Sequence, residues 1–279
     1  MRVEQLGAGE PELAIVGGIH GDEPCGRRAV ERLLADDPDV DRPVKLVVAN
    51  EEALERNARY VEEDLNRAFP GDPDGTTHES RLAAELTREL RGCTVFSLHS
   101  TRSYAAPFAL VDELGATARS ICPSLTVEAV VETAEFSVGR LIAVQDVVDV
   151  VEVECGLQGS EGAARNAVSL CYEFLAATGA LPRDGEPALG HAVPVFRLTR
   201  QIPKPVGGGP FRVFARNFER VAAGEAFAAA ADEEFVAEES FYPVLLSPDG
   251  YEDVFGYAAE LCGRLDDHPV EAEHAPGRL

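Results

Sequence analysis

The sequence predicts an α/β protein: a mixed, mostly parallel sheet with helices on both faces, plus a small β-rich C-terminal module. Three observations point there. Apolar runs of strand length alternate with helical periodicity through the first 180 residues. After a Pro- and Gly-containing connector the pattern changes to short β-branched and aromatic runs. At 279 residues and 45% hydrophobic, the chain can bury a full core.

In order along the chain, strand-like runs fall at 12–19, 44–49, 94–98, 108–111 and 147–153. Helical patterns fall at 24–35, 77–91 and 163–177. The second helix opens on Thr76-Thr77-His78-Glu79, a Thr cap with acid in the first turn. The connector is Leu181-Pro-Arg-Asp-Gly-Glu-Pro, and β-type runs follow at 193–200, 211–215 and 234–236. Expected boundaries are therefore a main domain over 1–180, a small β-rich domain over 190–265 and a flexible tail over 266–279.

Charge narrows the partners. Lys and Arg number 25 against 49 Asp and Glu, a formal net charge of -24, and Lys45 and Lys204 are the only lysines. No basic patch can offset phosphate, so nucleic acid and anionic membrane are poor partners. An acid-rich, Lys-poor surface resembles proteins of a high-salt (halophilic) cytoplasm, where screening mutes carboxylate repulsion. Cysteines 25, 93, 122, 155, 171 and 262 form no C-x-x-C pair and read as reduced, mostly buried residues. The N-terminus lacks the pattern of a signal peptide, and no run approaches the roughly 20 apolar residues of a membrane span. A cytoplasmic protein is expected, with self-association left open.

The chemistry centres on Gly17-Gly-Ile-His-Gly-Asp-Glu-Pro-Cys-Gly26, which places His20 and Glu23 three positions apart where an apolar run gives way to a helical pattern. An imidazole and a carboxylate so spaced at a strand-to-helix turn can reach one zinc ion. His99, in Phe96-Ser-Leu-His-Ser-Thr, also follows an apolar run, and sites in such sheets collect beyond the carboxyl ends of the strands. His20, Glu23 and His99 would complete three protein ligands with an open position, for one Zn2+ per chain. His78, His191, His268 and His274 sit at a helix start, in the connector and in the tail, and are weaker candidates.

Five separated elements occur in order: His20-x-x-Glu23, Arg59, Asp64-Leu-Asn-Arg67, His99 and Glu154-Cys-Gly156. Together they resemble the succinylglutamate desuccinylase/aspartoacylase family, within the wider group related to zinc carboxypeptidases. The likeness runs with gaps through residues 12–160 and is faint beyond 180, although the family would also have a small β-rich C-terminal domain. It implies a zinc carboxypeptidase-like fold, a zinc hydrolase catalytic domain over 1–180, and a small-molecule N-acyl amino acid of the N-succinylglutamate or N-acetylaspartate type as substrate.

The resemblance also implies roles. Glu154 would take a proton from water and give it to the leaving amine. Glu152 lies on the same side by strand periodicity, but the Cys-Gly after Glu154 matches the family's Val-Gly. Arg59 would stabilise the oxyanion, Asn66 and Arg67 would hold the substrate carboxylate, and Asp64 would be structural support. This chain departs from the family at Asn50-Glu-Glu-Ala53, where relatives carry Asn-Pro-x-Ala. It also has Val144 where an arginine that helps bind the acyl carboxylate would stand; Arg140 is out of step and Arg102 is the substitute candidate. The family's C-terminal tyrosine could be Tyr251 or Tyr242. Besides a zinc-dependent deacylase, the sequence leaves open a metallocarboxypeptidase on short peptides and a catalytically silent zinc- or ligand-binding protein.

Overall fold

The computed structural model describes residues 1–144, 149–182, 193–207 and 209–265. The chain runs β1 (Arg2–Leu6), β2 (Leu13–Gly17), α1 (Cys25–Asp36), β3 (Val44–Val48), α2 (Glu51–Arg56), α3 (His78–Glu89), β4 (Thr94–Thr101), β5 (Phe108–Val111), α4 (Ala116–Ile121), β6 (Val130–Glu132), β7 (Asp149–Leu157) and α5 (Glu161–Ala177). Then follow β8 (Pro194–Pro203), β9 (Phe211–Val213), β10 (Ala226–Ala230), β11 (Glu233–Val236), β12 (Tyr242–Val244) and β13 (Val254–Arg264).

Ten strands form one sheet in the order β1-β3-β2-β4-β7-β5-β6-β8-β13-β12. Its centre, β3-β2-β4-β7, is parallel throughout, as are β5-β6 and β6-β8. The β1, β5, β12 and β13 pairings supply the antiparallel joints. The expected mixed, mostly parallel sheet is thus the one observed. Alternation along β2 shows both faces covered: Leu13 and Ile15 pack with Ala29, Val30 and Leu33 of α1 and Leu170 of α5. Ala14 and Val16 pack with Leu82 and Leu86 of α3 on the other face.

The three anticipated helices form, capped by side chains where the sequence offers them. Thr77 accepts from Ser80 N at 3.2 Å, and Ser160 accepts from Ala163 N at 3.0 Å. Two strands run past their expected ends. β4 continues to Thr101 and β7 to Leu157, so His99 and Glu154 are strand residues rather than residues just beyond one. Both are held in register, His99 opposite Glu154.

A separate three-stranded antiparallel sheet, β11-β10-β9, accompanies the large one. The other C-terminal strands, β8, β13 and β12, are hydrogen-bonded into the large sheet itself. The sheet is therefore continuous across the connector, much of which lies outside the described residues together with the tail. Phe227, Phe241 and Phe255 tie the small sheet to β13. All six cysteines are free, and five are buried. Among the described residues no helix is long and apolar enough to cross a membrane.

Candidate active site

The turn after β2 carries the first two candidate ligands. Gly17 at the strand end lies against Gly26 at the start of α1, where a Cβ would sit 2.3 Å from the Gly26 carbonyl carbon. That approach drives the chain through a tight turn. Two other segments grip it: Asn50 N donates to Gly18 O at 2.9 Å and Gly21 N to Arg59 O at 3.2 Å. His20 and Glu23 are consequently buried, 4% and 5% exposed.

His20, Glu23 and His99 converge, their donor atoms all within 4.8 Å of one another. Nδ1 of His20 lies 2.8 Å from Glu23 Oε1, and Nδ1 of His99 lies 3.2 Å from Oε2 of the same carboxylate. Ser100 N donates to that Oε2 at 3.0 Å. The outward nitrogens are also met: Nε2 of His20 by Asp64 Oδ1 at 3.0 Å, and Nε2 of His99 by Ser97 Oγ at 3.3 Å. Two imidazoles and one carboxylate, each braced from behind, form a donor set that suits a zinc ion with a position left open. Burial works against the charge on Glu23, yet the two histidines hold its carboxyl well below the ordinary range.

Arg59 joins this cluster. Its Nε and Nη2 each lie 3.0 Å from Asp64 Oδ2, and Nη1 lies 3.3 Å from Glu23 Oε1. Asp64 caps the short helical turn Leu65–Arg67 by accepting from Asn66 N at 2.9 Å. Although Asp64 is largely buried, His20 and Arg59 keep its carboxyl well below its ordinary range. The segment before it is clamped by Glu79, fully buried on α3, which accepts from Val61 N at 2.6 Å, Glu62 N at 3.0 Å, Glu63 N at 3.2 Å and Asn50 Nδ2 at 3.0 Å. The sequence marked Glu79 only as a helix-start acid; its Thr-Thr-His-Glu context carried no sign of this contact.

A cavity of about 290 Å³ opens on the cluster. Its walls include Arg59, Arg67, Arg140 and Glu154, with Leu245 and Tyr251 from beyond the connector. Glu154 is 8% exposed and its Oε2 has no hydrogen-bond partner among the described residues. Burial, aided by the charges of Glu23 and Glu152 and opposed by His99 and Arg140, pushes its carboxyl up to about 8. Tyr251 is at the wall, its phenol pushed up chiefly by burial, whereas Tyr242 packs on Phe196 away from the cavity. Arg102 lies at the rim, half exposed, bonded to Gln158 Oε1 at 2.6 Å.

Asn66 is the expected site residue that the structure does not bring to the cavity wall. It is 1% exposed and its amide is spent on protein: Oδ1 accepts from Leu141 N at 2.9 Å and Nδ2 donates to Glu152 Oε1 at 3.4 Å. Arg140, out of step in the sequence, does reach the wall, because the turn Leu141–Ala143 docked on Asn66 carries it there.

The mixed, mostly parallel sheet thus carries, at the rim of its parallel centre, a His-Glu-His set that could hold a metal ion. Residues 9–136 match the family model described as succinylglutamate desuccinylase/aspartoacylase catalytic domain. The resemblance carried by the motifs therefore holds, and over this stretch the chain is similar to that family. It is 38% identical over 82 residues to succinylglutamate desuccinylase of Pseudomonas aeruginosa, covering 28% of this chain and 25% of that one. It is 34% identical over 102 residues to a probable aspartoacylase of Acaryochloris marina, covering 32% and 35%. The chain thus spans about a quarter to a third of the curated relatives it matches. In fold it is similar to a succinylglutamate desuccinylase/aspartoacylase from Rhodobacter sphaeroides, TM-score 0.74 at 20% identity over 93% of this chain and 88% of that one. It is also similar to the product-bound ectoine utilization protein EutE (DoeB) from Ruegeria pomeroyi, TM-score 0.71 at 23% identity over 93% and 87%.

Proposed function

We propose that the protein is a zinc-dependent amide hydrolase that removes the acyl group from an N-acyl amino acid, cutting the kind of amide bond found in N-acetylaspartate and N-succinylglutamate. The observation that carries this reading is the convergence on one small cavity of the His20–Glu23–His99 donors, the partnerless carboxylate oxygen of Glu154 and the guanidinium of Arg59. A silent binding protein has no use for that carboxylate. A cavity of about 290 Å³ closed on one side by Leu245 and Tyr251 fits a small acyl amino acid better than an extended peptide.

His20 Nδ1, Glu23 and His99 Nδ1 would hold the zinc, which when bound supplies Lewis acidity and lowers the pKa of water to about 7. Glu154 Oε2 accepts the proton released as water attacks the amide carbonyl, then delivers it to the leaving nitrogen. Arg59, fixed by Asp64 and Glu23, presents a preorganised positive charge to the oxygen that becomes negative. Arg67 supplies a guanidinium fork to the amino acid's carboxylate, and Tyr251 a hydroxyl beside it. Asn66 supports from behind. The free thiols agree with a cytoplasmic site of action.

The test is a panel of N-acetyl-, N-succinyl- and longer N-acyl amino acids with dipeptides, assayed on protein stripped by chelator and reloaded with zinc. Hydrolysis of acyl amino acids but not dipeptides is expected. Glu154→Gln should keep its zinc and lose about 10²- to 10⁴-fold in kcat. Preferred cleavage of dipeptides would favour a carboxypeptidase, and stoichiometric zinc without turnover of any compound would favour a silent binder.

A further inference from the structure

The four arginines at the cavity are not equally available. Arg59 is committed to Asp64 and Glu23. Arg102 stands among Gln158 Oε1, Asp249 O and Asp22 Oδ2, the last at 3.8 Å. Arg140 is 7% exposed and faces Glu152, its Nη2 3.9 Å from Oε2. Arg67 has no carboxylate partner among the described residues, and its Nη1 donates only to the Asn66 carbonyl at 2.6 Å.

Glu152 is the carboxylate that Arg140 faces. It lies on β7 two positions before Glu154, is 1% exposed and sits behind the cavity wall. Its Oε1 accepts from Asn66 and lies 3.9 Å from His99 Nε2. Its Oε2, like Nε of Arg140, has no hydrogen-bond partner among the described residues. The two charges therefore face each other without a closed hydrogen-bonded bridge, in a place where water cannot screen them. A second substrate carboxylate arriving at Arg140 would meet the Glu152 charge directly behind it.

Building on the deacylase reading, we propose that Glu152 cancels Arg140, so that the cavity takes an N-acyl amino acid with one carboxylate, held by Arg67, and rejects a second. Glu152 is then a specificity-determining residue that acts through Arg140, by placing a repulsive charge against the wrong substrate. Of the two substrate types the family suggests, each carries more than one carboxylate, so the substrate of this chain would differ from both in charge.

N-acetyl-L-asparagine and N-acetyl-L-aspartate have the same shape and differ in one charge, which makes them the probe. For the zinc-loaded wild type, kcat/KM should favour the asparagine compound by about tenfold or more, with the difference in KM. Glu152→Gln keeps an acceptor for Asn66 and removes the buried charge. It should shift that ratio about tenfold toward the aspartate compound, through KM, whereas a disturbed His99 would lower kcat for both compounds alike. Arg140→Gln leaves Glu152 uncancelled and should widen the ratio, giving a second reading if Glu152→Gln folds poorly. Hydrolysis of both compounds without discrimination, or a ratio that neither variant moves, overturns the proposal alone. Turnover of no acyl amino acid by the wild type overturns the deacylase reading and the proposal with it.

Discussion

Nε2 of His20 lies 3.0 Å from Oδ1 of Asp64, and this contact decides which ring nitrogen is available at the donor cluster. An ionised carboxylate only accepts, so Nε2 carries a hydrogen toward Asp64, and Nδ1, 2.8 Å from Glu23 Oε1, is the nitrogen that would face a bound metal. The same carboxylate holds Arg59 through Oδ2. One aspartate thereby orients a candidate metal ligand and the cation proposed for the oxyanion.

Replacing Asp64 should therefore cost metal affinity before it costs fold. Asp64→Asn is expected to weaken zinc binding about 10- to 100-fold, read by competition with a chromogenic chelator. Affinity equal to the wild type would show that the ring is held by packing alone.

Glu79 makes an equally specific prediction about acid stability. Burial alone would raise its carboxyl, but the Val61 N–H, the Asn50 amide and the Glu62 and Glu63 N–H groups outweigh it and hold the pKa below the ordinary value. A group depressed in the folded state adds stability above its unfolded pKa of about 4.3, and that stability is lost as pH falls through the folded value. Glu79→Gln should lose about 2 kcal/mol or more at pH 7. The gap between variant and wild-type unfolding midpoints should close below about pH 4. A gap that stays constant from pH 7 to pH 3 would mean the charge contributes nothing.

Much of this arrangement was legible in the sequence, and the rest was hidden for identifiable reasons. The core strands showed as apolar runs because a parallel sheet buries both faces of each strand. His20 and His99 stood out because the chain has only six histidines and these two follow apolar runs, and Glu23 because it lies three positions from His20. β10 was missed because its Ala-Phe-Ala-Ala-Ala reads as helix former, although close packing in the small sheet leaves the run almost fully buried. β13 was missed because its small residues and glycines break any alternation. The ends of β4 and β7 were set too early because His99 and Glu154 interrupt the apolar pattern, while the backbone ladder continues beneath them. The Glu79 clamp, the turn that lifts Arg140 and the retreat of Asn66 depend on contacts between segments far apart in sequence, which no local pattern encodes.

The turn itself can be tested at Gly17. The residue is fully buried and its Cβ would overlap the Gly26 backbone, with atoms at 2.3 and 2.5 Å. Neither strand nor helix can move without disturbing the core. Gly17→Ala should destabilise by about 3 kcal/mol and weaken zinc binding, because His20 follows three residues later. Thermal unfolding and the chelator titration read the two effects separately; an unchanged midpoint would show that α1 shifts freely.

The acidic surface predicts a response to salt. With 49 acidic residues against 25 basic ones, the folded chain confines far more negative charge than it can pair. Arginines near carboxylates, such as Arg28 with Glu161 and Arg197 with Glu132, already use part of the positive charge. The remaining repulsion acts between exposed groups, where ions screen it: the Debye length falls from about 10 Å at 0.1 M to about 3 Å at 1 M. Raising KCl across that range should raise the thermal midpoint and then level off, since the buried site pairs are shielded from ions. Sucrose at matched osmolality separates screening from general exclusion effects and should raise the midpoint less. A midpoint that falls with KCl, or that sucrose raises equally, would show that surface repulsion does not limit stability.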